Sequence, residues 1–199
     1  MKKTKIRIGF SVVLLFFAAA LGMRPLEYLA ALTAALLHEM GHVWVAHRLG
    51  VPLRSFSVEL LGARLDLAPG VITYRDELLI AAAGPAVNLT TALALYPLIP
   101  RFGGGTGLFI SALTAASLGL ALLNLLPIVG FDGGRILYCL LSLFLSPAAA
   151  FRVGQLLSFF CVFSLWSASV YLLLKTAGGL AVFVFSASLF CRLFVSDQI

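Results

Sequence analysis

The stretch from Thr106 to Leu126 carries no charged residue and is long enough to cross a bilayer. Runs of this kind recur along the chain and restrict its fold more than any other feature. Of its 199 residues 61% are hydrophobic and 11% charged, whereas soluble domains carry about 25% charged residues. Once such runs lie in lipid, every backbone N–H and C=O in them needs an internal partner, which leaves helices as the spanning elements. The sequence therefore predicts an all-α polytopic membrane protein of about six transmembrane helices, forming a single domain over residues 1–199.

In order, the expected spans run from about Ile8 to Met23, Pro25 to Leu49, Glu77 to Pro100, Thr106 to Leu126, Phe151 to Leu174 and Gly178 to Phe194. The basic start Met1 to Arg7 followed by an apolar run also fits a signal peptide, with Ala18 to Ala20 near a cleavage site. We read it as a span because the next one follows almost at once. A short helix from Gly133 to Leu145 is too short to cross. The net charge of +6 does not indicate nucleic acid binding, because Lys and Arg fall between the spans and form no patch. Cys139, Cys161 and Cys191 are widely spaced in apolar segments, with no zinc or disulfide spacing.

Residues 53–67 change period. Phe56 and Val58 alternate with Ser55, Ser57 and Glu59, then Ala63, Leu65 and Leu67 alternate with Arg64 and Asp66. This predicts a small membrane-associated β-hairpin after the second span. It is either a surface ribbon or an edge, carrying Phe56 and Val58, on which an extended substrate segment pairs.

Inside the second span lies His38-Glu39-Met40-Gly41-His42. Residues i and i+4 share a helix face, so His38 and His42 can converge on one metal ion. Glu39, about 100° round the helix, is placed to take a proton from an attacking water. His47 lies about 140° round from His42 and points elsewhere, as an interfacial residue. A carboxylate and two imidazoles are costly in a membrane and mark function by default, although polar groups also join helices there.

Asp132 sits where Pro127, Gly130, Gly133 and Gly134 interrupt the helix after span four. It is a candidate third metal ligand; the alternatives are a cap on the short helix or a pair with Arg135. Asn88, in Gly84-Pro85-Ala86-Val87-Asn88, either bonds across helices or lines a cavity. The expected spans put eleven of the 14 Lys and Arg residues on the side of the termini, which makes the termini cytoplasmic. Span two and span four then both run towards the cytoplasm, which brings His38, His42 and Asp132 to similar depth.

With H-E-M-G-H on an early span, G-P-A-V-N, and N-L-L-P-I-V-G-F-D-G-G-R after span four, the chain resembles the site-2 protease family of intramembrane zinc metalloproteases. The layout is most similar to the bacterial stage IV sporulation factor B branch. The resemblance implies zinc held by His38, His42 and Asp132, with Glu39 as the catalytic glutamate. It also implies substrate contacts at Asn88, Asn124 and Pro127. The implied substrate is a transmembrane or membrane-tethered protein, a sigma-factor precursor or an anti-sigma factor. It is cut in or near its transmembrane segment in a bacterial cell membrane, with a membrane regulatory protein as a further partner. Neither the CBS domain of that branch nor the PDZ domain of the stress-signalling branch is expected in this chain. A non-catalytic membrane adaptor, or a zinc transporter or sensor using the same ligands, are the rival readings. Transport usually relies on inverted repeats, and the sequence has no internal repeat.

Overall fold

The computed structural model describes residues 24–51, 72–175 and 182–190, and gives the backbone course alone for 5–8, 53–59, 62–67, 176, 180–181 and 191–195. The expected first span, and with it the signal-peptide alternative, lies outside the described residues. The backbone assigns strands β1 (Lys5–Ile8), β2 (Leu53–Glu59) and β3 (Gly62–Leu67). Their order is β1-β2-β3, with β1 parallel and β3 antiparallel to β2. The side chains of Phe56 and Val58 lie outside the described residues.

Helix α1 (Pro25–Arg48) opens on Pro25 at a first-turn position where no N–H is needed. Glu27 there accepts the Arg24 N–H at 3.4 Å. Helix α2 (Tyr74–Leu95) is capped by Thr73, whose Oγ1 accepts the Asp76 N–H at 3.1 Å and donates to Asp76 Oδ2 at 2.8 Å. A 3₁₀ turn (Tyr96–Arg101) follows, and α3 runs from Gly104 to Asn124. Then come α4 (Asp132–Ser142), α5 (Pro147–Thr176) and α6 (Leu180–Val195).

Four helices among the described residues are long and apolar enough to cross a membrane: Pro25–Arg48, Tyr74–Arg101, Gly104–Asn124 and Pro147–Lys175. Helix α6 is assigned over 16 residues, short of the ~20 a crossing usually takes. Helix α4, with 11 residues and so about 16 Å long, does not cross.

The chain divides into two compact units, Met1–Leu125 and Leu126–Ile199. In the first, α1, α2 and α3 each touch the other two. Contact is close because α1 turns small side chains inward. Its buried residues Ala30, Ala34, His38, Gly41 and Ala46 recur at helical spacing. A Cβ on Gly41 would lie 2.8 Å from the Ala83 carbonyl oxygen of α2, so these two backbones meet with no room for a side chain. Ala30 and Ala34 pack with Leu113 of α3, and Ala46 and Val51 pack with Ile80 of α2. On the other faces Leu36, Met40, Val43 and Trp44 of α1 and Leu93 of α2 are exposed, the surface expected to face acyl chains.

In the second unit α5 packs against α4 and α6. The segment 126–131 ahead of α4 is irregular: Gly130 takes a φ of 96°, which favours glycine. Its Val129 N–H is taken by Ser158 Oγ of α5 at 3.0 Å, and Phe131 N–H by the Ile128 carbonyl at 3.0 Å. Gly134 in the first turn of α4 lies against the Ile128 carbonyl, where a Cβ has no space. Phe131 occupies the N-cap position of α4 and Asp132 is the first helical residue, so the alternative reading of Asp132 as the helix cap does not hold.

Candidate metal centre

His38 and His42 sit on adjacent turns of α1, both buried, at 5% and 4% exposure. The helix sets their rings edge to face, with centroids 4.9 Å apart. The two Nε2 atoms approach to 3.2 Å. Two imidazole nitrogens on one tetrahedral zinc are about 3.3 Å apart, from Zn–N bonds of about 2.05 Å. The pair therefore has the spacing that a shared zinc requires.

The far side of His42 is fixed by α2. His42 Nδ1 lies 2.7 Å from the Ile80 carbonyl oxygen. A carbonyl only accepts, so Nδ1 carries a proton, and in the neutral imidazole Nε2 then keeps its lone pair. Backbone carbonyls commonly orient a metal-binding imidazole in this way. Pro85 has no N–H to give the Ala81 carbonyl, so the helical bonding of α2 is weakest in the turn beside this contact.

Gly84 lies one turn beyond Ile80. A Cβ there would stand 2.8 Å from His38 Nε2, 2.6 Å from His42 Cε1 and closer still to His42 Nε2. The volume a side chain would take at position 84 is thus volume against both Nε2 atoms. Glycine leaves it open, and the residues present fit a metal ion. One turn further, Asn88 is fully buried, and its Nδ2 lies 3.4 Å from His38 Nδ1. Ile80, Gly84 and Asn88, four residues apart, form one stripe of α2 along the histidine pair.

Glu39 is half-buried on α1 between the two histidines in sequence, and His47 is exposed. Asp132 is buried at 8% exposure in the first turn of α4, where its negative charge suits the helix dipole. Asn124 donates from Nδ2 to the Leu120 carbonyl at 3.0 Å, and Pro127 is half-buried. The first unit thus brings His38, His42 and Asn88 together. Sequence reasoning missed the Ile80 carbonyl and the clearance at Gly84. The one available signal was the four-residue spacing of Gly84 and Asn88.

A pair of histidines and a glutamate on a membrane-crossing helix, backed by a second such helix, defines the class of membrane-embedded H-E-x-x-H proteins. Within it, residues 28–104 match the model of peptidase family M50. Over 118 residues the chain is 36% identical to a Synechocystis protein described as a zinc metalloprotease, covering 55% of this chain and 31% of that one. Over 119 residues it is 31% identical to a Methanocaldococcus jannaschii zinc metalloprotease, covering 58% of this chain and 34% of that one. The matches thus span about a third of these curated relatives. The fold is similar to that of a site-2 protease from Methanocaldococcus jannaschii. That comparison has a TM-score of 0.67 at 20% identity and covers 100% of this chain and 93% of that one. Together these comparisons give a peptidase M50 match over residues 28–104 and a fold similar to that of a site-2 protease.

Proposed function

We propose that this chain is a membrane-embedded zinc endopeptidase of the site-2 protease type. The observation that carries the reading is the buried His38–His42 pair with its Nε2 atoms 3.2 Å apart, beside Glu39. His38, His42 and Asp132 are the proposed ligands. What supports Asp132 is its burial and its position directly after the interrupted segment 126–131. A zinc ion held there would act as a Lewis acid on the scissile carbonyl and lower the pKa of water towards ~7.

The chain's own residues do the rest. His42 is kept in one tautomer by the Ile80 carbonyl. Glu39 takes the proton of the attacking water and passes it to the leaving amine. Burial of both imidazoles limits bulk water and strengthens charge interactions at the reacting bond. A helical substrate has its carbonyls in i→i+4 bonds and must unwind, and a strand edge would hold it extended. Since β2, with Phe56 and Val58, is flanked by β1 and β3 in the backbone order, the edge we assign to substrate is that of β3. Asn124 and Pro127 are the proposed contacts near the interrupted segment.

For substrate we infer a membrane-tethered sigma-factor precursor or an anti-sigma factor, in keeping with the sporulation branch, and a membrane regulatory protein as its partner. The bilayer in question is a bacterial cell membrane, with the termini cytoplasmic.

Zinc content of the detergent-purified chain tests the reading, wild type beside His42→Ala, Asp132→Asn and Glu39→Gln. One zinc per chain in wild type and Glu39→Gln, lowered in the other two, is expected. Glu39→Gln should also lose cleavage of a membrane-tethered reporter. Wild type that neither holds nor recovers zinc would sink the protease assignment, and Asp132→Asn with full zinc would remove Asp132 from the ligand set. A Glu39→Gln protein that keeps its biological output would instead favour an adaptor, transporter or sensor.

A further inference from the structure

We propose that Asn88 is a positioning residue for His38, with its side-chain carbonyl accepting the His38 Nδ1 proton. The inference rests on the metal reading above and deepens it. If His38 and His42 each give Nε2 to one ion, each must carry its remaining proton on Nδ1, and each Nδ1–H then needs an acceptor. His42 has one in the Ile80 carbonyl at 2.7 Å. For His38 the Asn88 amide stands beside this nitrogen, its Nδ2 lying 3.4 Å from Nδ1.

An NH2 group cannot accept, so a protonated Nδ1 facing Nδ2 sets donor against donor. Turning the amide by 180° exchanges oxygen and nitrogen with almost no change of shape. The Asn88 Oδ1 is buried and has no hydrogen-bond partner among the described residues. Either orientation leaves one end of the amide without a described partner. Only the reversed one joins a donor to an acceptor across the 3.4 Å contact. Asn88 then does for His38 what the Ile80 carbonyl does for His42, from two turns further along the same stripe of α2. Full burial of Asn88 keeps water from replacing it as the acceptor.

The zinc dissociation constant of the full chain, measured in detergent against a competing chelator, tests this. Asn88→Leu keeps the size but removes the acceptor, and should bind zinc roughly 10–100-fold more weakly than wild type. Asn88→Asp restores an acceptor oxygen and should return zinc affinity to within a few-fold of wild type. Cobalt substitution adds a spectroscopic check, since a displaced His38 changes the visible ligand-field bands while Asn88→Asp should preserve them. Thermal unfolding of the zinc-free proteins establishes that each variant folds, and Asn88→Ala replaces Asn88→Leu if the latter does not. An unchanged affinity in Asn88→Leu overturns the assignment. So does Asn88→Asp as weak as Asn88→Leu, because a role in packing would explain both losses. Wild type that binds neither metal removes the metal reading itself, whereas wild-type binding with unaffected variants removes only the role of Asn88.

Discussion

A methyl group at position 84 and a metal ion would compete for one volume. Gly84→Ala puts carbon within 2.8 Å of His38 Nε2 and closer to His42 Nε2, on a helix backbone that cannot swing aside. We expect it to lower zinc affinity by more than roughly 100-fold, beyond the usual effect of disturbing an orienting neighbour. Gly41→Ala is the control: its methyl meets the Ala83 carbonyl at 2.8 Å and Val87 Cγ2 at 3.0 Å, with no ligand atom among these contacts. That variant should lose thermal stability, while its folded fraction keeps zinc; equal zinc loss in both would refute the steric account. Glu39→Gln works by another route, keeping zinc while cleavage falls by about 10²–10⁴-fold, the usual range for a lost general base. At this scale the sequence made His38, Glu39 and His42 legible, because i and i+4 alone put two imidazoles on one helix face. Gly84 stood in the sequence only as the first residue of G-P-A-V-N. Which atoms lie opposite depends on the register of α1 against α2, and no spacing within one helix encodes that. The same register decides between the two readings of Asn88, which its position in G-P-x-x-N left even.

Between elements, hydroxyls do the work that few charged groups can do in lipid. Ser169 of α5 and Ser186 of α6 are buried and lie 2.7 Å apart. Each also faces a carbonyl of its own helix, Trp166 at 2.7 Å and Phe183 at 3.0 Å. Two hydroxyl protons thus serve three contacts, so at any moment one of the three lacks a proton. Ser169→Ala and Ser186→Ala should each cost about 0.6 kcal/mol, the mean for such bonds in a membrane protein. The double variant should cost clearly less than the two losses added. Full additivity in a denaturant titration would mean that the hydroxyls do not act as a pair. The segment before α4 is held in a similar way, by Ser158 on the Val129 N–H. Ser158→Ala should free that amide by about 1 kcal/mol, a roughly fivefold faster hydrogen exchange at Val129. Unchanged exchange there would show that the segment is held by its glycines and Pro127 alone. The sequence marked this break through Pro127, Gly130, Gly133 and Gly134. It did not mark Ser158, which is 29 residues further on and looks like any other serine in an apolar helix.

For the whole molecule the distribution of charge and the lengths of the helices make one joint demand. Helix α3 is long enough to cross and α4 is not, so the turn before α3 and the turn after α4 should lie on opposite sides of the membrane. The positive-inside rule adds an expected direction: Arg48, Arg135 and Arg152 would lie towards the cytoplasmic side, and Arg101 and Lys175 towards the other. Single cysteines at Leu49, Gly103 and Ser146, in a chain whose three native cysteines are replaced, separate these claims. All three positions are exposed, and Gly103 has open space where a side chain would be added. In sealed cells an impermeant thiol reagent should label Gly103→Cys alone, and in inverted vesicles Leu49→Cys and Ser146→Cys. Labelling of Gly103→Cys and Ser146→Cys from one side would mean that α4 and the segment before it return through the bilayer. Labelling of all three in the reverse sense would keep the helix path and invert the protein. In that case the proposed zinc ligands near the end of α1 would serve the extracytoplasmic side, and a cytoplasmic sigma factor could not be the substrate.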